Sequence, residues 1–437
     1  MAKKKVRKVR ASKSGAASSS KAAADALAKT AGAISTKSAK GRKITTLDAT
    51  ALLASVKHHP GPGNARRFAA SRLPQSFQTV IDPNKNPPQP FQPLPPPTGK
   101  APFHLSLDTV LSAQAMQTIT SSGQMVVHAV GDTGGVNTAT YIENVATYME
   151  DDFSSSDPSS HPSFFYHLGD VVYYDGETAN YFPEFYEPYM TYPAPIFAIP
   201  GNHDGDIDPQ TKETTLQEFV RNFCAPAPVH QPEANDAPRD AMTQPNVYWT
   251  LLTPLATFIG LYSNCPEGGV LKADQIAWLE AELKAAPAGM ALILAVHHPL
   301  YSAYGAHPGS QALYSVIDGA CKTAGRTPDL VLSGHVHDYQ RFTGTLGGKS
   351  VPCVIAGAGG YNAKLHTLSK IFHNTPLPIA MKGSGGVLEN FNDGAHGYLR
   401  LTMTKKNILC EYFAVPEPGV TAKLPLKAFD TITIPVG

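Results

Sequence analysis

Short apolar runs punctuate the chain from about residue 103, and five of them share one kind of ending. QMVVHAV (Gln124–Val130) stops at Gly131-Asp132, and SFFYHL (Ser163–Leu168) at Gly169-Asp170. PIFAIP (Pro195–Pro200) stops at Gly201-Asn202-His203-Asp204, and ALILAV (Ala291–Val296) at His297-His298-Pro299. The run DLVLS ends at Gly334-His335. Runs this continuous predict strands buried on both faces, because a strand with one wet face alternates apolar and polar residues. Between them the period changes to that of helices: Ile142, Val145 and Met149 fall on one face of TYIENVATYME, and Ile276, Leu279 and Leu283 on one face of KADQIAWLEAELKAA. CVIAGAGG (Cys353–Gly360) and GYLRLTMTKKNILCEYFAV (Gly397–Val415) predict further strands, the second pair a hairpin. Strands alternating with amphipathic helices define a layered α/β architecture. In open sheets of that kind ligands bind beyond the carboxyl ends of the strands, so the five turns are expected along one edge.

The residues before this pattern differ in kind. Residues 1–43 hold 13 of the 36 Lys and Arg and one acid, Asp25, so the remaining chain is acidic by 34 against 23. A Lys-, Ala- and Ser-rich stretch with few large apolar residues is expected to be disordered, a basic tail at 1–45 able to touch anionic polymers or surfaces by charge. Residues 46–102 form an extension with one short amphipathic stretch and nine prolines between 83 and 102, a polyproline-II linker or strap. The catalytic domain is expected at 103–437. No run of about 18 apolar residues exists, so no helix is expected to span a membrane. The tail lacks the apolar core of an export signal, and Cys224, Cys265, Cys321, Cys353 and Cys410 show no paired spacing. Both features point to a reducing compartment, the cytoplasm.

Each turn alone is weak evidence, since a Gly-Asp turn after a strand is commonplace. Together the turns supply carboxylate, amide, imidazole and phenol groups, which borderline divalent metals and ferric iron accept. His335 and His337 flank Val336, so both imidazoles can serve one centre.

These five segments, in this order, resemble the signature of the calcineurin-like metallophosphoesterases, and the forms Asp132-Thr133-Gly134 and Gly169-Asp170-Val171-Val172-Tyr173 resemble its purple acid phosphatase branch. The resemblance covers roughly residues 124–415. It implies an α/β fold of two facing mixed sheets flanked by helices, and a pair of metal ions. Asp132, Asp170, Tyr173 and His337 would hold the first ion. Asp170 would bridge to the second, which Asn202, His297 and His335 would complete. His203 would contact the phosphate and help protonate the leaving group, Asp204 would orient His203, and His307 would touch the phosphate. His298 remains an alternative to His297, and Tyr174 to Tyr173. Where many relatives carry a histidine ligand the chain has Gly134, and a phenolate beside two carboxylates favours Fe(III) at the first site, with Zn, Mn or Fe(II) at the second.

The activity implied is hydrolysis of small-molecule phosphate esters, phosphomonoesters first. Two rivals stand beside it: a phosphodiesterase acting on nucleotides or lipid head groups, and a metal- or phosphate-binding module without turnover. His128, inside a run, reads as a core histidine. His58, His59, His161, His230, His366, His373 and His396 match no segment and are expected on the surface or in loops. The aromatic-rich DGETANYFPEFYEPYMTYP reads either as core packing or as a substrate wall.

Overall fold

The computed structural model describes residues 94–136, 138–206, 214–263, 269–420 and 423–437, with the backbone alone at 34–37 and 43–48. The amphipathic stretch, the basic tail and most of the Pro-rich segment therefore lie outside the described residues, apart from strands β1 (Ile34–Lys37) and β2 (Lys43–Asp48). Next come β3 (His104–Ser106), helix α1 (Ala113–Ser122), β4 (Gln124–Val130), α2 (Thr140–Asp151), β5 (Pro162–His167) and β6 (Ile196–Ala198). After short helices at Asn202–Gly205 and Gln217–Phe223 follow β7 (Trp249–Leu252), β8 (Ala256–Leu261), α3 (Ala273–Ala285), β9 (Ala291–Val296), α4 (Gln311–Ala324) and β10 (Leu330–Ser333). The chain closes with β11 (Tyr339–Leu346), β12 (Lys349–Ala356), β13 (Ile379–Lys382), β14 (Val387–Asn392), β15 (Gly397–Thr404), β16 (Asn407–Ala414) and β17 (Asp430–Pro435). Local signals set several boundaries: Ser112 caps α1 and Ser310 caps α4 through side-chain bonds to backbone N–H groups, and left-handed Gly123 and Gly325 end the same two helices.

Two mixed sheets result. One has the order β17-β16-β15-β4-β5-β6, the other β1-β2-β13-β14-β11-β12-β10-β9-β8-β7-β3. The apolar runs explain why the sheets face each other, because each strand divides its side chains between two cores. In β9, Ala291, Ile293 and Ala295 enter the core between the sheets, while Leu292, Leu294 and Val296 pack outward against α3 and α4. In β5, Phe164 and Tyr166 point inward and Phe165 outward, towards α2. The period of two thus turns an unbroken apolar run into two buried faces. Four layers follow: helices, sheet, sheet, helices. The aromatic-rich stretch is core: Tyr181, Phe185, Tyr186, Tyr189 and Tyr192 are buried with α2 over the outer face of the smaller sheet, and form no substrate wall.

What positions the site is strand direction. β4, β5 and β6 are mutually parallel, and so are β8, β9, β10 and β12 in the other sheet. Their carboxyl ends therefore deliver successive turns to the same rim. Backbone bonds join the two sheets there, Gly131 N–H to Ala356 O at 2.9 Å and Gly359 N–H to Gly131 O at 3.2 Å.

Because Ile293 is fully buried between the sheets, Ile293→Ala is expected to lower unfolding free energy by roughly 2–5 kcal/mol, read from urea denaturation. A loss below the cost of a surface substitution would show that the two sheets are not packed through this strand.

Candidate metal centre

Three of the turns place their polar residue in the left-handed region: Asp132 at φ 57°, Asp170 at φ 53° and His335 at φ 69°. Asp and His tolerate this conformation better than apolar residues do. The turns are then locked to one another. The N–H of Asp132 bonds to Gly169 O at 3.0 Å, and the N–H of Gly334 to His297 O at 3.0 Å. The N–H of His335 donates to both oxygens of Asp132 (3.0 and 2.8 Å), and the N–H of His203 donates to Asp170 Oδ1 (2.9 Å).

Two groups of donors result. Asp132, Tyr173 and His337 form one: the Tyr173 hydroxyl lies 3.3 Å from Asp132 Oδ1 and 3.4 Å from His337 Nε2, which itself lies 3.4 Å from Asp132 Oδ1. Asp170, His297 and His335 form the other, with one donor atom from each lying within 4.8 Å of the others. Asn202 joins it, its Oδ1 3.1 Å from His335 Nδ1. Asp170 touches both groups, facing His297 Nε2 at 3.3 Å and lying within hydrogen-bonding reach of Tyr173. His335 and His337 thus serve different groups, while Val336 turns away into the apolar core beneath them.

The donor chemistry fits cations. Nδ1 of His297 lies 2.9 Å from Leu168 O, which can only accept, so that nitrogen carries the proton. Nε2 is buried, has no hydrogen-bond partner among the described residues and aims its lone pair at the Asp170 carboxylate. Lone pair against carboxylate is repulsive unless a positive charge sits between them. Without a metal that charge is a proton: burial opposes a charged imidazole, but Asp170 outweighs it and lifts His297 to about 9. Burial likewise pushes Asp132 well above the usual carboxylate range, against the pull of His297. For Asp170 burial acts upward too, but His297 and His203 outweigh it and hold the carboxyl below its usual range. Burying so many polar groups together is costly unless a cation compensates them.

The open alternatives resolve by position. His297, not His298, reaches Asp170; Nδ1 of His298 is 2.6 Å from Ser263 Oγ, although its ring packs 4.3 Å from that of His335. Tyr173, not Tyr174, brings its hydroxyl into the centre, and Tyr174 instead offers its carbonyl to His203 Nδ1 at 2.8 Å. His203 stands half-buried with its ring 4.6 Å from Tyr173. His307, also half-buried, lies edge-on to His335 at 4.8 Å. His128 is a core histidine, held between Tyr192 (3.0 Å) and Asp152 (2.9 Å).

Asp204, expected to orient His203, is engaged with the backbone. Its carboxylate accepts N–H bonds from Val171 (3.0 Å), Val172 (3.3 Å) and Gly201 (2.8 Å), which tie the second turn to the third. A buried carboxylate serving several backbone N–H groups braces loops, and sequence alone cannot distinguish that job from aligning a neighbouring imidazole.

A sixth turn also reaches the centre. β12 ends in Gly357-Ala358-Gly359-Gly360 and leads to Tyr361 and His366. A Cβ on Gly359 would overlap Gly131 O, so only a bare backbone threads past the first turn here. The Tyr361 ring lies 4.2 Å from Tyr173 and 4.4 Å from His337, and the His366 ring 4.2 Å from His337. His366 lies in a loop, as expected, but that loop brings its ring against His337. The available signal was the glycine run directly after an apolar strand, the same grammar as the other turns.

Residues 125–339 match the family model described as calcineurin-like phosphoesterase, and this stretch is a domain of that family. Among curated proteins it is similar to purple acid phosphatase 22 of Arabidopsis thaliana, 24% identical over 223 residues, covering 47% of this chain and 43% of the relative. The chain thus spans less than half the length of that curated relative. Among solved structures, GAP50, the anchor in the inner membrane complex of Plasmodium, aligns over 72% of this chain and 89% of its own with 16% identity and a TM-score of 0.49. The purple acid phosphatase PPD1 from seeds of yellow lupin (Lupinus luteus) aligns over 71% and 53% with 15% identity and a TM-score of 0.46. No helix among the described residues is long and apolar enough to cross a membrane.

Gly134 stands against the Tyr173 ring, and a Cβ there would overlap it. Gly134→Ala is accordingly expected to displace the phenol and weaken uptake of one of two zinc ions by roughly ten- to a hundredfold, a range typical of lost orienting contacts. Competition against a chromophoric chelator measures this. Unaltered affinity would mean that the phenol lies outside the coordination sphere.

Proposed function

We propose that this chain hydrolyses phosphate esters, phosphomonoesters first, at two metal ions held by the side chains of five strand ends. The observation that carries the reading is the convergence of Asp132, Asp170, Tyr173, Asn202, His297, His335 and His337, residues scattered over two sheets, into two buried donor groups that share Asp170. Asp132, Tyr173, His337 and Asp170 hold the first ion in this reading, and Asn202, His297, His335 and Asp170 the second. When bound, the pair supplies an acidified water and charge neutralisation at phosphorus.

The chain's own groups then divide the remaining work. His203 donates from Nδ1 to Tyr174 O, which leaves Nε2 as the atom that holds or passes a proton at the mouth of the site. That suits general-acid assistance to the departing alkoxide. His307, edge-on to His335 at the same mouth, is placed to contact a phosphoryl oxygen. Asp204 keeps the second and third turns in register, so that Asp170 and His203 arrive together.

Fe(III) is proposed for the first site. Burial, followed by the charges of Asp170 and Asp132, pushes the Tyr173 phenol well above its ordinary value, so only a strongly charged hard cation makes its phenolate the stable form. Zn, Mn or Fe(II) suits the second site, where the donors are two imidazoles, an amide and one carboxylate.

Purified protein supplied separately with Mn, Zn and Fe should hydrolyse p-nitrophenyl phosphate faster than its bis-ester. The reverse order would make the chain a diesterase, and full metal uptake without turnover would make it a binding module. His203→Ala should lower kcat by roughly 10²–10⁴-fold while two metals per chain are retained. Unchanged kcat on an ester with a poor leaving group would remove His203 from proton transfer. Iron-loaded protein should show a visible charge-transfer band that Tyr173→Phe abolishes, and a band that survives the substitution would exclude the tyrosinate.

A further inference from the structure

A histidine that holds a metal nearly always donates its other ring nitrogen to a carboxylate or carbonyl, which fixes both tautomer and orientation. His297 obeys this rule through Leu168 O at 2.9 Å. His337 does not. Its Nε2 faces Asp132 and Tyr173, while its Nδ1 is buried and has no hydrogen-bond partner among the described residues. Something other than that hydrogen bond must hold this ring.

The surroundings of His337 supply it. The N–H of His337 donates to Nδ1 of His366 at 3.0 Å, and the N–H of His366 returns a bond to His337 O at 2.9 Å. The two residues are thus pinned reciprocally, one bond running from backbone to ring and the other from backbone to backbone. Because Nδ1 of His366 accepts, its proton sits on Nε2, and the ring is a neutral plate with a set tautomer. That plate lies parallel to the His337 ring, with centroids 4.2 Å apart and planes 8° apart. Tyr304 stacks on His366 in turn, at 4.4 Å and 10°. Tyr361 packs against His337 at 4.4 Å and 55°.

We propose that His366 is a positioning residue for the metal centre: by accepting the His337 N–H and stacking on its ring, it replaces the missing hydrogen bond and keeps His337 Nε2 aimed at Asp132 and Tyr173. This rests on the reading of His337 as a ligand of the first ion. His366 itself touches neither substrate nor metal in this role. It acts through the angle of another side chain, and it must therefore be visible in metal affinity before any substrate is added.

The test uses the full chain stripped of metal, with zinc alone as the probe and chelator competition as the readout. His366→Ala should weaken one of two zinc-binding steps by roughly ten- to a hundredfold, as loss of an outer partner commonly does, and leave the other step near its wild-type value. His366→Asn keeps an acceptor oxygen close to where Nδ1 stands and should recover most of the lost affinity. His366→Phe keeps the flat ring but not the acceptor and should fall between alanine and asparagine. Should the alanine variant fail to fold, the asparagine and phenylalanine variants carry the comparison, and equal affinities in those two overturn the proposal. Wild-type affinities at both steps in all variants overturn it as well. A wild-type protein that takes up no pair of zinc ions overturns the dinuclear reading and this proposal with it. Uptake of two ions regardless of residue 366 overturns only the role of His366.

Discussion

The bond from the His335 N–H to the carboxylate of Asp132 is the contact around which the centre is organised. Asp132 ends a strand of the smaller sheet and His335 ends a strand of the larger one, so the bond joins the two layers at their shared rim. It lets both residues sit in the left-handed region, because each is held by the other's turn. The Gly131 and Gly359 bonds tighten the same joint. Each donor group takes residues from both sheets, so loosening this joint would pull each group apart.

Such a joint is electrostatically unfavourable on its own. Asp132 and Asp170 are both buried, and the charge of Asp170 adds to the upward push on Asp132. The apolar cores on either side carry the stability that the rim lacks. At ~25 cal/mol per Å² of buried apolar surface, strands that bury both faces contribute more per residue than strands with one wet face. The fold can therefore hold a polar cluster at one edge that would not persist alone. In the proposed reading cations would complete the charge balance, and the facing of His297 Nε2 and the Asp170 carboxylate at 3.3 Å marks where one would belong. Metal and proton compete for the same place, which couples uptake to proton release.

Aromatic rings form the other half of the design. Tyr173, Tyr361, His337, His366 and Tyr304 pack one against the next from the centre outwards. Flat rings restrict each other's rotation while presenting few polar atoms that need partners. That suits a site whose ligands must hold their aim while the mouth around His203 and His307 stays partly open.

The amino-acid sequence by itself determined the strands, their burial on two faces and the helices between them, because periods of 2 and 3.6 residues are written directly in residue type. It also marked Asp132, Asp170, Asn202, His297, His335 and His337 as candidates, because each follows an apolar run at a turn. Tertiary structure alone decided which atoms meet. That His297 and not His298 faces Asp170 depends on a strand end far away in the chain. Asp204 took backbone N–H groups, a job that its residue type alone does not reveal. His366 could not be read from spacing, since the loop from Gly360 to His366 has no period and its direction is set by what it packs on. Pattern encodes which face a residue occupies; the partners across that face come from packing between segments that no local rule connects.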